Sequence, residues 1–110
     1  MRRASLVATT ATALFVSAVL AVSALAATKT ISIGDDFFSP KSVSVSKGTT
    51  VKWVWRGKSS HNVTVKSGPV KFASKTQSKG SFSKKLAKAG TYKLYCTIHG
   101  TKQSLTIRVK

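Results

Sequence analysis

The stretch Ala89-Gly90-Thr91-Tyr92-Lys93-Leu94-Tyr95-Cys96-Thr97-Ile98-His99 decides the fold of this 110-residue chain. Tyr92, Leu94 and Cys96 fall on every second position, the period of a half-buried strand. Gly90 punctuates its start and Gly100 follows its end. The same rhythm extends outward in both directions. Leu105, Ile107 and Val109 carry it toward the C-terminus; Val43 and Val45, then Val51, Trp53 and Trp55, then Val63 and Val65 carry it before the stretch, and Phe82 begins another short run. Ser and Thr fill many of the outward slots, which suits strands better than helices. Turn signals stand at Gly34, Ser39-Pro40, Lys47-Gly48, Arg56-Gly57, Ser67-Gly68-Pro69 and Gly80. No window of helical length carries a 3.6-residue period. These features predict an all-β protein, an antiparallel sandwich or barrel, with Lys66–Gly80 as a long polar loop. Trp53 and Trp55 share a face with Val51 and are assigned to the core. Phe37 and Phe38 are read as the anchor of an edge strand.

The first 26 residues read as an address. Arg2 and Arg3 precede an uncharged stretch whose middle, Leu14-Phe15-Val16-Ser17-Ala18-Val19-Leu20-Ala21-Val22, is strongly apolar. It closes on Ala24-Leu25-Ala26, a small-x-small end. A basic start, an apolar middle and an A-x-A end are the parts of a secretory signal peptide. Cleavage after Ala26 is expected, which leaves residues 27–110 as a single domain in the periplasm or outside the cell. Removing Arg2 and Arg3 takes the formal charge from +17 to +15. So short a chain buries a limited core. Having one Cys and therefore no internal disulfide, it depends on sheet packing or on a bound metal.

Composition excludes several kinds of chemistry. The only acidic residues are Asp35 and Asp36. Neighbours in an extended segment point to opposite faces, so a facing carboxylate pair is not expected. Glycosidase or aspartic-protease chemistry is excluded with it, as is a carboxylate-rich Ca²⁺ or Mg²⁺ cage. The positive field instead favours acidic partners, an acidic redox protein or an anionic envelope surface. Nucleic acid is set aside because an exported protein does not meet it.

One constellation carries chemistry. Cys96 ends a strand pattern, His99 follows three residues later, and His61 opens another strand in Ser60-His61-Asn62-Val63. These are the only Cys and the only two His of the chain. A short turn after Cys96 can swing His99 back toward the sulfur. If the strands are neighbours, His61 adds a third donor. One thiolate with two imidazoles in a trigonal array is the donor set of a blue-copper centre. Against this stand plainer readings: a buried Cys that packs as a small hydrophobe, and two surface His.

The chain resembles the small cupredoxins of the plastocyanin–amicyanin type. The resemblance covers nearly all of residues 29–110. It is carried by Phe38-Ser39-Pro40-Lys41-Ser42-Val43-Ser44-Val45, Lys47-Gly48-Thr49-Thr50-Val51-Lys52-Trp53, Ser60-His61-Asn62-Val63 and the Ala89–His99 stretch. It implies a Greek-key β-sandwich with copper near one end. By resemblance, His61, Cys96 and His99 are equatorial copper ligands. Asn62 ties the two ligand loops together, and His99 is the ligand nearest solvent. The chain departs from the family at the fourth ligand. No Met follows His99, and the only Met is Met1. Gln103 is the best axial candidate, since an amide oxygen can serve there, and its plainer reading is an ordinary exposed polar residue. Lys102 is read as solvated and Leu105 as core or as an apolar neighbour of the ion. The function expected is that of a monomeric, non-enzymatic copper protein shuttling single electrons. The alternatives are copper delivery or sequestration, and a metal-free binding module on the same scaffold.

Overall fold

The computed structural model describes residues 27–110; the expected signal peptide, residues 1–26, lies outside them. Eight strands form: β1 (Thr28–Gly34), β2 (Phe37–Ser39), β3 (Ser42–Val45), β4 (Thr50–Trp55), β5 (Thr64–Ser67), β6 (Ser81–Lys85), β7 (Gly90–Cys96) and β8 (Gly100–Val109). They assemble into two four-stranded sheets, ordered β2-β1-β4-β6 and β3-β8-β7-β5. The neighbours β1–β4 and β3–β8 run parallel and the other pairs antiparallel. Such non-sequential neighbours make this a Greek-key sandwich rather than an up-and-down meander. Among the described residues, no helix is long and apolar enough to cross a membrane.

The period of two becomes the core. Val51, Trp53 and Trp55 face inward from β4, and Tyr92, Leu94 and Cys96 from β7. The inward stripe of β8 is Gln103, Leu105, Ile107 and Val109. Trp53 is fully buried, and its ring lies 5.7 Å from that of Phe82 and 6.1 Å from that of Phe72. Its indole nitrogen has no hydrogen-bond partner, so the residue stabilises through packing alone. Phe38 is buried while Phe37 is half-exposed on the edge strand β2, in keeping with the edge-anchor reading.

The sequence reading passed over β1. Its alternation is carried by two apolar residues, Ile31 and Ile33, both fully buried. The segment called a loop, Lys66–Gly80, begins with the last two residues of β5 and then carries only isolated bridges, Thr64 to Ala73 and His61 to Gln77. Its Phe72 and Val70 pack against the core.

Two connections position the functional end. The β7–β8 hairpin pairs Cys96 with Gly100, after a register shift between Tyr95 and Cys96. That leaves Thr97, Ile98 and His99 as a tight turn, closed by Gly100 at φ +64°, a backbone state that favours glycine. The β1–β2 connection is a two-residue turn, Asp35-Asp36, with Asp36 at φ 71°. Asp is one of the few side chains that tolerate this left-handed region.

Replacing Trp53 by Ala removes a large, fully buried side chain and should cost about 3–5 kcal/mol. Trp53→Phe keeps the aromatic packing and discards an unpartnered indole N–H, so it should cost less than half as much. Urea denaturation followed by far-UV circular dichroism measures both.

Candidate metal centre

Three donors converge at one end of the sandwich. One ligand atom each from His61, Cys96 and His99 lies within 4.8 Å of the others. His61 and Cys96 are fully buried, while the His99 side chain is about a quarter exposed. The two imidazole rings are 4.9 Å apart, centre to centre. The Cys96 sulfur lies 3.7 Å from His99 Nδ1. A trigonal ion about 2.0 Å from nitrogen and 2.3 Å from sulfur separates those two donors by roughly 3.7 Å, so the spacing fits a shared ion.

His61 is held from every side but one. Its backbone exchanges two hydrogen bonds with Gln77, the His61 N–H to the Gln77 carbonyl at 2.9 Å and the return bond at 3.0 Å. The indole N–H of Trp55 donates to the His61 carbonyl at 3.1 Å. Its ring Nε2 donates to Asp35 Oδ1 at 3.0 Å. Its Nδ1 is buried with no partner at all. A buried polar atom left unmatched costs on the order of 1–3 kcal/mol, and this one faces the other donors.

Asp35 is itself pinned. It accepts from the backbone N–H of Ser59 at 2.9 Å and from that of Lys58 at 3.1 Å. The His61 hydrogen bond, then those of Ser59 and Lys58, hold its carboxyl well below the usual carboxylate range, against a smaller opposing effect of burial. An ionised carboxylate accepts and cannot donate. Nε2 of His61 therefore carries the hydrogen, and Nδ1 offers its lone pair whenever the ring is neutral. His99 repeats the pattern: its Nε2 lies 3.0 Å from Asp36 Oδ1. The chain's two acids are each spent on one of its two histidines. The expectation from adjacency fails here because the pair occupies a turn, not an extended segment, so both carboxylates reach the same site.

Gln103 stands on the inward stripe of β8 and is fully buried. Its Nε2 donates to the carbonyls of Gly34 at 3.1 Å and Phe37 at 3.0 Å. Both partners are acceptors, which fixes the amide nitrogen on that side. Oε1 is thereby aimed into the site, 3.1 Å from His99 Nδ1. His99 Nδ1 thus lies between two acceptors, this oxygen and the Cys96 sulfur, a position that a proton or a metal ion fills.

Asn62 joins the loops as expected. Its backbone N–H points at the Cys96 sulfur at 3.4 Å, and its Oδ1 accepts from the Thr97 backbone N–H at 3.1 Å. Its amide nitrogen donates to Thr97 Oγ1 at 2.8 Å and Thr76 Oγ1 at 3.0 Å. Burial alone would raise the Cys96 thiol. The hydrogen bonds from Asn62, the His99 ring and the backbone of Ile98 and His99 outweigh it, and the net shift is downward, toward thiolate. Lys102 is exposed and Leu105 is core, as read from the sequence. The residues that sequence reasoning missed are Asp35 and Asp36. The one signal for them is the turn mark at Gly34, because a turn does not hold adjacent side chains on opposite faces as an extended segment does.

Residues 25–110 match the family described as copper binding proteins, plastocyanin/azurin family. Among curated proteins none matches the chain in sequence. Solved structures share its fold. A purple cupredoxin from Nitrosopumilus maritimus is 23% identical, with a TM-score of 0.66, covering 74% of this chain and 99% of its own. Native pseudoazurin from Hyphomicrobium denitrificans is 24% identical, with a TM-score of 0.64, covering 76% and 75%. A copper-containing nitrite reductase from Thermus scotoductus is 24% identical, with a TM-score of 0.67, over 78% of this chain but only 22% of the enzyme.

Because the Asp35 carboxyl titrates lower in the folded chain than its ordinary value near 4, its contribution to stability is complete above that value. It is lost as pH falls below it. The metal-free protein should therefore lose melting temperature between pH 5 and pH 2 more steeply than Asp35→Asn, by scanning calorimetry. Equal slopes would remove Asp35 from the account.

Proposed function

Since the chain belongs to the plastocyanin/azurin family of copper-binding proteins, we propose that it is an exported blue-copper protein that carries single electrons between partners. The observation that carries this reading is the unpartnered Nδ1 of the fully buried His61, facing Cys96 and His99. Copper bound there would supply one-electron exchange between Cu(I) and Cu(II). His61 and His99 would ligate through Nδ1, Cys96 through its thiolate and Gln103 through Oε1.

The chain's own residues account for the rest of the behaviour. The soft sulfur suits Cu(I), the imidazoles tolerate both states, and the harder amide oxygen favours Cu(II). Asn62 and the two sheets hold the donors in one arrangement, so a change of charge needs little movement of ligands. All four donors come from the chain, and three are fully buried. Catalytic metal sites keep a position open for substrate; a filled, buried set passes electrons instead. His99 alone among the four is open to solvent, which makes it the port for electron exchange.

The proposed setting follows from charge and from the N-terminal segment. A signal-like start routes the chain out of the cytoplasm. A formal charge of +15 on residues 27–110 steers it toward an acidic redox protein or an anionic envelope surface.

Copper added to the protein should produce the thiolate-to-copper absorption in the visible, and Cys96→Ser should abolish it; a band that survives refutes the ligand set. Gln103→Leu removes the hard oxygen and should raise the reduction potential, read by redox titration. A wild-type potential with rapid electron exchange is the mark of a carrier, whereas slow exchange points to copper storage.

A further inference from the structure

The turn between β1 and β2 contains none of the four proposed ligands, yet it touches three of them. Asp35 holds the Nε2 edge of His61 and Asp36 that of His99, each at 3.0 Å. The residues on either side of the pair, Gly34 and Phe37, accept both hydrogen bonds of the Gln103 amide. We infer that this turn is a carboxylate clamp that presents both imidazoles and the Gln103 oxygen to the ion and biases the site toward Cu(II). The inference rests on the copper reading above.

The turn is built for this contact. A Cβ on Gly57 would collide with the Asp35 carboxylate and stand 2.9 Å from its backbone nitrogen, so only glycine lets the turn seat there. Gly34 is covered by the Phe37 ring in the same way. Asp35 is tethered by Lys58 and Ser59, three and two residues before His61. Ring and carboxylate therefore come from one packed unit. Asp36 adopts left-handed backbone to reach the second ring.

The electrostatic consequence follows from where the charge lies. A carboxylate on the far nitrogen of a ligating imidazole raises the basicity of the near one. It also places negative charge a few ångströms behind the ring, and this stabilises the doubly charged ion more than the singly charged one. The chain has 19 basic side chains and could have left its site in a wholly positive surround. Instead its only two acids stand behind the two imidazoles.

The test uses Asp35→Asn, Asp36→Asn and the double variant. Asn keeps the size, retains an acceptor oxygen for Nε2–H, and suits left-handed backbone at position 36. Each variant should lose about 10–100-fold in Cu(II) affinity and less in Cu(I) affinity, so the reduction potential rises, most in the double variant. Gly57→Ala keeps both charges but unseats Asp35, and should shift the potential in the same direction. In the metal-free protein, nitrogen-15 NMR should show a slowly exchanging Nε2–H on His61 that disappears in Asp35→Ala. If wild type shows the copper band while the double variant keeps both affinities and the potential, the clamp is overturned and the copper reading stands. If wild type binds no copper, the copper reading falls and the redox bias falls with it. The presentation of His61 then stands or falls on the metal-free NMR signal alone.

Discussion

A fully buried imidazole with one nitrogen satisfied and the other bare is the constraint on which this molecule turns. Everything around His61 is paired: its backbone with Gln77, its carbonyl with Trp55, its Nε2 with Asp35. Nδ1 alone is not. Packing could have placed an apolar residue there and avoided the penalty, about 1–3 kcal/mol. The strain is tolerated because the bare nitrogen, a sulfur shifted toward thiolate and the Gln103 oxygen beside His99 gather at one end of the sandwich. Three electron-rich atoms held that close repel one another, and a cation would relieve all of them at once. The site thus stores its affinity as unsatisfied polarity in a fold that has little room to relax.

The sandwich keeps that arrangement from collapsing. Cys96 ends β7 and Gln103 lies within β8, so two donors ride on paired strands. His99 sits in the turn between those strands, and His61 lies beside them, tied by Asn62 to Thr97 and to the sulfur. The remaining support comes from the other sheet, through the β1–β2 turn. The site is therefore closed from both layers, and separating the sheets would dismantle it. Site geometry and global stability are coupled by construction.

Much of this was legible in the sequence because a period of two translates directly into an inward face. Val51, Trp53 and Trp55 on one strand, and Tyr92, Leu94 and Cys96 on another, needed only that rule. Gln103 was available by the same rule, since it stands two before Leu105 on the stripe that continues through Ile107 and Val109. A polar residue at an inward position asks for partners, and it has them. β1 was harder: two isoleucines among Thr, Ser and Lys are a thin signal, and the strand owes its existence to parallel pairing with β4, a partner some twenty residues away. Asp35 and Asp36 escaped because the adjacency argument presumed extended backbone across a turn. The Asn62 ties to Thr76 and Thr97 depend on tertiary approach and leave no local trace.

The same two carboxylates resolve an apparent conflict in the electrostatics. A strongly cationic body favours encounter with acidic partners, yet a cationic surround also disfavours a cupric ion relative to a cuprous one. Field and site separate by distance. At physiological ionic strength charges more than about 8 Å apart in solvent are largely screened, so the two carboxylates, each 3.0 Å from an imidazole, weigh more on the site than charges farther off. Around the proposed ion, one thiolate and two carboxylates set three negative charges against the two of Cu(II). On the proposed reading, local charge would set which oxidation state is preferred, and the wider surface would set what the protein meets. A chain with only two acids can serve both demands only by placing both of them here.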